Sequence, residues 1–294
     1  MRYATASAFR AALEQRLATT AQQTGVSLLR LRKLVVFDRL MARLLVTAPD
    51  RWVLKGAVAL QFRLGPRFRT TKDMDPGRRD SAEVATADFL AVQSVHLDDY
   101  FTFAIERTGQ LDLTTEGATV RYHATAQLAG RRFEDVTIDV AFGDPIVAAP
   151  ELLEGPDLLG FAGIPPIVVP ALPLEQHVAE KLHAYTRRYA SGIASTRAKD
   201  LIDLVAMSSL SAFQAGRLRL ALEATFAARG THHLPGSLPP PPSEWRIAYR
   251  RIAIEAGLER GMEVGYEHAK AFLGPVLAGT IPDLALWDPG RRAW

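Results

Sequence analysis

The chain has 294 residues, enough for one large or two ordinary domains. Its 48% hydrophobic and 23% charged residues match a soluble globular balance, which excludes a mainly disordered chain. It has no cysteine, which excludes disulfides, thiol catalysis and a cysteine-based zinc site and suits a reducing compartment. Net charge is only +3, yet arginine lifts the pI to about 9.2, a mild pointer to a polyanionic partner. No apolar run approaches the ~18–20 residues of a membrane span. The first ten residues lack the apolar region of a secretory leader. A cytoplasmic protein with no membrane contact is expected.

Residues 5–48 read as helices. Phe9, Leu13 and Leu17 recur at helical spacing, as do Leu29, Leu34, Leu40 and Leu44 approximately, with Gly25 and Ser27 between the two runs. The second helix carries Arg30, Arg32, Lys33, Arg39 and Arg43. Two readings fit it: a solvated helix face, or a surface for an RNA backbone. From 52 to 65 a short apolar stretch meets Gly56, and then Ala57, Leu60 and Leu64 continue with helical period until Gly65-Pro66. That is a glycine turn leading into a short helix, whose first backbone N–H groups suit a phosphate. A strand bearing Asp73 and Asp75 follows, and Pro76 is expected to stop it. Residues 81–95 read as helix.

From 100 to 143 the pattern turns to β. Phe101, Phe103 and Ile105 alternate, as do Val120 and Tyr122, and Gly130 suits a hairpin turn. Val136, Ile138, Val140 and Phe142 alternate with Thr137, Asp139, Ala141 and Gly143, giving one apolar and one small or polar face. Residues 144–173 are rich in proline, from Pro145 to Pro173, and a domain boundary is placed there. Helical signal then dominates, over 174–190, 196–209, 211–229, 243–256 and 262–277. The expected fold is α+β. Residues 1–165 form N-terminal helices and a mixed sheet with helices, and 166–294 a helical C-terminal domain.

Asp73 and Asp75 stand two apart on a strand, so their side chains share a face. Paired carboxylates repel unless a cation lies between them, and oxygen-only ligands suit Mg²⁺ or Mn²⁺. Asp139 lies on the polar face of its own strand. A strand pairing beside the first would make it a third metal ligand or a general base. Asp144 precedes Pro145 and reads as a turn. Arg63, Arg67, Arg69, Lys72, Arg78 and Arg79 crowd the same segment, as a triphosphate site requires. Thr70 and Thr71 have hydroxyls for a γ-phosphate. The alternative is a charged loop of balanced ion pairs.

Four blocks in order carry a resemblance: Lys55-Gly56-Ala57; Arg67 through Asp73-Met74-Asp75; Val178 through Lys181; and Arg197-Ala198-Lys199-Asp200 running on to Asp203. Together they are similar to the AbiEii/AbiGii nucleotidyltransferase toxins, which include the MenT toxins, over about residues 35–210. The resemblance implies a polymerase-β-like nucleotidyltransferase core joined to a helical domain. It implies a toxin of a toxin–antitoxin pair with an AbiEi-like antitoxin encoded nearby. It also implies transfer of a nucleotide from an NTP to an RNA acceptor, a tRNA 3′ end in characterised members. By that analogy Asp73 and Asp75 bind metal, Lys181 contacts the triphosphate and Asp200 completes the active site. Gly56, Ala57, Arg69, Thr71, Lys72 and Lys181 then form the nucleotide-binding set. The family usually has Gly or Ser where Ala57 stands, so a hydroxyl contact is lost there while backbone contacts survive.

The second half agrees with that reading. Leu174, Val178, Leu182 and Tyr185 form a buried stripe with Lys181 at its edge, where a lysine either snorkels or reaches into a cleft. Arg197 and Asp200 have the spacing of a simple helical ion pair. Asp203 is either a surface acid or a partner for Lys181. His177 and His183 do not have metal-ligand spacing, and none of the histidines is expected to be a ligand. Two further functions use the same residues: nucleotide transfer to a protein hydroxyl, and nucleotide or RNA binding without catalysis. The paired acids of one half and Lys181 of the other suggest a triphosphate held between them.

Overall fold

A computed structural model describes residues 1–65, 68–69, 71, 73–111, 119–142, 147–187 and 197–294. It divides the chain into two compact units. Met1–Asp144 and Pro150–Ala171 form one, and Pro145–Ala149 and Leu172–Trp294 form the other.

The first unit contains α1 (Ala6–Thr24), α2 (Leu28–Thr47), β1 (Val53–Lys55), α3 (Gly56–Leu64), β2 (Asp73–Arg78) and α4 (Ala82–Val92). It continues with β3 (Phe101–Leu111), β4 (Thr119–Leu128), β5 (Arg131–Phe142), β6 (Glu151–Glu154) and β7 (Val168–Ala171). The strands form one mixed sheet in the order β3-β4-β5-β2-β1-β7-β6. The α+β class read from the sequence is the observed one.

Local chemistry sets the boundaries. Thr5, Ser27 and Ser81 cap α1, α2 and α4 by accepting from Ala8, Arg30 and Val84 N–H groups. Gly25 closes α1 in the left-handed region, its N–H bonded to the Ala21 carbonyl. Ala129 and Gly130 both take positive φ, 54° and 66°, as a two-residue turn between twisted strands requires.

Two expectations are corrected here. Pro76 does not stop its strand, since β2 runs on to Arg78. Pairing with β5 skips Asp75 and Pro76 and resumes at Gly77, while Pro76 stays level with Leu54 of β1. A proline withholds a single N–H donor, and the ladder closes again beyond it. The proline-rich stretch also contains structure: β6 and β7 are four-residue strands, and Pro170 lies within β7, level with Leu152. Strands so short carry too little alternation to be read against that composition. The first unit accordingly extends to Ala171.

The basic face read on α2 is neither solvated nor a nucleic-acid surface. Arg30, Arg39 and Arg43 are buried. Arg43 grips Asp99 with both guanidinium nitrogens, at 2.9 and 2.6 Å, and donates to the Phe101 and Val95 carbonyls. Its guanidinium carbon lies 5.1 Å from the centre of the Phe103 ring. Arg39 pairs with Asp38 and Asp99, and Arg32 with Glu14. Lys33 donates to the Asp135 carbonyl. Such pairs cost desolvation but are strongly destabilising to break, by about 3–5 kcal/mol. Under them lies the core, where Val35, Val36 and Leu40 of α2 join Met74, Ile138, Val140, Tyr122 and Phe89.

The second unit is helical, with α5 (Leu174–Thr186), α6 (Ala198–Leu210), α7 (Ala215–Arg229), α8 (Arg246–Ala256) and α9 (Met262–Leu277). α6 is buried on most sides and packs on α5, α8 and α9. Trp287 is buried against Phe272 and donates to the Ser208 carbonyl at 2.6 Å. The proline loop at 234–242 is tied down where Tyr185 and Tyr266 hydroxyls donate to the Pro239 and Leu238 carbonyls.

One group of α2 gives the fold a pH dependence. Asp38 accepts from Arg39 through one oxygen, and its other oxygen is buried without a hydrogen-bond partner. Burial outweighs the Arg39 attraction and lifts this carboxyl from 3.8 to about 6. The folded chain therefore keeps a proton that the unfolded chain has lost. The resulting stability is present below pH 3.8 and lost as pH rises through about 6. Urea midpoints should fall over that interval, and Asp38→Asn should remove most of the decline; an unchanged slope in the variant would refute the assignment.

Candidate active site

β2 sits between β1 and β5, so both neighbours fix what its side chains face. Asp73 and Asp75 are half-buried on one side, while Met74 points to the core. Lys55 of β1 is level with Asp75. Along β5, Asp73 pairs with Thr137, Met74 with Ile138 and Arg78 with Phe142. The offset is the same at both ends, which sets Asp75 level with Asp139. Asp139 in turn pairs with Arg121 of β4. Residues level on adjacent strands share a face. Lys55, Asp75, Asp139 and Arg121 therefore form one row across four strands, with Asp73 beside it.

Arg121 binds Asp139 through Nε and Nη2, each 2.7 Å from a carboxylate oxygen. The bond to Asp139 first, and then the charges of Asp139, Asp73 and Asp75, hold the arginine's pKa above its ordinary value. Among the described residues, no three acidic or histidine side chains stand together at metal-holding distance. Asp139 is engaged by an arginine that the sequence reading did not single out, and Lys55 is likewise a neighbour of the pair that it left out of the site. The signal for both was register, which no single strand contains.

The Asp73 carboxylate accepts no hydrogen bond from another described residue. Two half-buried carboxylates on one face, with only oxygen donors, fit a hard divalent cation such as Mg²⁺ or Mn²⁺. Gly56 keeps room for them. It begins α3 with φ +63°, and a Cβ there would lie 2.8 Å from Asp75 Cβ. The helix start and its first N–H groups, at Gly56 and Ala57, thus lie against Asp75.

The other basic and hydroxyl residues divide. Arg78 is fully buried, paired with Asp80 and Asp88 and lying over Trp52 at 4.2 Å. It is a core residue, so its place among the phosphate-binding arginines is withdrawn. Arg63 pairs with Glu151. Arg69 is buried, its carbonyl accepting from Gln61. The Thr71 hydroxyl bonds the backbone of Asp73 and so fixes the start of β2. Arg67, Thr70, Lys72, Gly143 and Asp144 lie outside the described residues.

In the helical unit, Lys181 Nζ stands 2.7 Å from Asp203 and 3.4 Å from Asp200. Arg197 Nε approaches the second Asp200 oxygen to 2.9 Å, as an ion pair whose N–H is not aimed at it. Both aspartates are fully buried, and Lys181 nearly so. Asp200 is therefore shared between Arg197 and Lys181, and Asp203 is the nearer partner of Lys181. His183, Thr231, His232 and Thr186 form a separate polar chain in this unit, with the two imidazoles 4.5 Å apart.

A family model described as the nucleotidyl transferase AbiEii toxin of type IV toxin–antitoxin systems matches residues 39–279. Among solved structures, MenT4, a nucleotidyltransferase toxin from Mycobacterium tuberculosis, superposes with a TM-score of 0.58 at 20% identity. The match covers 95% of this chain and 92% of that one. JHP933 from Helicobacter pylori gives 0.45 at 15% identity, over 84% of this chain and 93% of its own. No curated protein matches by sequence. At 20% identity the MenT4 match speaks for the fold alone, and the family match carries membership.

Two substitutions test these geometries. Gly56→Ala should cost at least about 1–2 kcal/mol, because a Cβ is disfavoured at this φ and Asp75 must move. A urea midpoint equal to the parent's would disprove the close approach. Asp203→Ala should cost about 3–5 kcal/mol by removing the nearer counter-ion of buried Lys181. Arg197→Ala, at a part-exposed pair, should cost under about 1 kcal/mol. Equal losses in the two would mean that Asp203 is not Lys181's main partner.

Proposed function

This chain belongs to the AbiEii family of nucleotidyltransferase toxins of type IV toxin–antitoxin systems, and we propose that it transfers a nucleoside monophosphate from an NTP to the 3′ end of an RNA, a tRNA foremost. The observation that carries this reading is the Asp73/Asp75 face with the Gly56 helix start against it. In the reaction the 3′ oxygen of the acceptor attacks the α-phosphorus. The bond to the bridging oxygen breaks, pyrophosphate leaves, and the acceptor hydroxyl gives up its proton.

Each group has a task in this scheme. Asp73 and Asp75 hold a divalent ion, Mg²⁺ or Mn²⁺, which when bound lowers the acceptor hydroxyl's pKa and offsets charge on the α-phosphate. The N–H groups that open α3, at Gly56 and Ala57, receive a phosphate oxygen. Ala57 brings no hydroxyl, so recognition there is by backbone alone. Arg69, Thr71 and Lys72 stay in the nucleotide-binding set, Thr71 by setting the start of β2. Lys181 takes the outer phosphates of the NTP. Asp200 and Asp203 hold it in place as ion-pair partners, because burying an unpaired ammonium is costly.

The protein partner is an antitoxin of the AbiEi kind, encoded nearby. NTP and RNA would both be met in the cytoplasm. Among the described residues no helix is long and apolar enough to cross a membrane.

Incubation with each labelled NTP and total RNA, with total protein in parallel, tests the proposal. Label should enter the RNA fraction at tRNA length. Asp75→Asn and Lys181→Ala should each lower incorporation by at least about 100-fold and relieve growth arrest on expression. Label in the protein fraction instead would replace the acceptor. Metal-dependent NTP binding with no transfer to either would reduce the chain to a binding module.

A further inference from the structure

Asp139 and Arg121 acquire a different meaning once the row across the sheet is read as one unit. A third carboxylate level with Asp75 would ordinarily be assigned to the metal. Here both of its oxygens are taken, one by Arg121 Nε and one by Nη2. That side-on grip consumes one edge of the guanidinium. Nη1 and the outer hydrogen of Nη2 make no bond to any described residue. The Arg121 side chain is 39% exposed, whereas its partner is 16% exposed. The cation is thus the outer member of the pair and the carboxylate the inner one. We propose that Arg121 is a phosphate-binding residue of this site, held in place by Asp139, and that Asp139 is a positioning residue and not a metal ligand.

The chemistry favours this division of labour. A guanidinium anchored along one edge and open along the other has already lost most of its rotamer freedom. It therefore offers its remaining N–H groups to a phosphate oxygen at little further entropic cost. Arg121 stands in the same cross-strand row as Asp75, on the face that carries the metal pair, and the charges of Asp73 and Asp75 contribute to raising the arginine's pKa. The inference rests on the nucleotidyl-transfer reading, and its ligand is a phosphate, either of the NTP or of the acceptor strand.

The test uses the full chain with Arg121→Ala, Arg121→Lys and Asp139→Asn. Calorimetry with α,β-methylene nucleoside triphosphates in Mg²⁺ measures binding without turnover. Mn²⁺ titration followed by electron paramagnetic resonance measures the metal. Steady-state transfer gives KM separately for NTP and RNA. Arg121→Ala should weaken triphosphate binding about tenfold or more and leave Mn²⁺ binding no weaker than the parent's. Arg121→Lys should fall between, since it keeps the charge and loses the fork. Asp139→Asn should follow Arg121→Ala in direction, with Mn²⁺ binding unchanged. A rise in the RNA KM alone, with triphosphate binding intact, would assign the phosphate to the acceptor strand and equally support the proposal.

Two results would overturn it. In one, all three variants lose thermal stability while binding and KM stay at parental values, and the pair is then only a cross-strand brace. In the other, Asp139→Asn abolishes Mn²⁺ binding while Arg121→Ala preserves it, and Asp139 is then a metal ligand after all. Should Arg121→Ala fail to fold, Arg121→Lys and Asp139→Asn decide between these outcomes. Absence of transfer by the parent protein would refute the reaction, while the binding measurements would still judge Arg121.

Discussion

Three carboxylates are held on one face of a β-sheet, and the surrounding fold manages that repulsion. Side chains level on neighbouring strands lie about 4.5–5.5 Å apart, and like charges at that distance are unfavourable unless something screens them. The sheet answers by flanking Asp75 and Asp139 with Lys55 on one side and Arg121 on the other. Two cations against Asp73, Asp75 and Asp139 leave one negative charge over. That residue of charge is the electrostatic invitation to a cation, and it lies beside Asp73, whose carboxylate has no partner among the described residues.

Such a row keeps its register only if the sheet cannot slip. A shift of one residue would send Met74 to the polar face and the acids into the core. The opposite face prevents this, because Met74, Ile138 and Tyr122 are locked among residues of α2 and α4. Arg43 then ties α2 to the beginning of β3 through Asp99 and the Phe101 carbonyl, and to the segment after α4 through the Val95 carbonyl. Arg10 of α1 does the same at the β4–β5 turn, donating to the Leu128, Arg131 and Arg132 carbonyls. Arg32, Lys33, Arg39 and Arg43, which looked like an address for nucleic acid, are instead struts held by acids or carbonyls inside the unit.

Much of this was legible in the sequence, and the failures share a cause. Helices α1 to α4 and strands β3 to β5 announce themselves through period and caps, and the Asp73/Asp75 face follows from alternation alone. What is local is readable. The burial of Arg39 and Arg43 is not local, because it depends on Asp99, a residue far along the chain. Arg121 was overlooked for the same reason: nothing near it in sequence marks it, and its meaning comes from facing Asp139 across a strand pair. Lys181 and Asp200 came from a resemblance, and only their packing brings out Asp203 as the closer counter-ion. Pro76 misled because a rule for proline in central strands is a tendency, and here the ladder skips two residues and resumes.

Gly56 has a consequence at the level of the gene. Its left-handed backbone and the carboxylate beside it leave no room for a Cβ, and every other amino acid has one. All missense changes at codon 56 therefore strike the same atoms of Asp75, whatever the new residue's size or charge. For a protein whose activity harms its own host, this single codon is a broad inactivation target, reached by any non-synonymous nucleotide change.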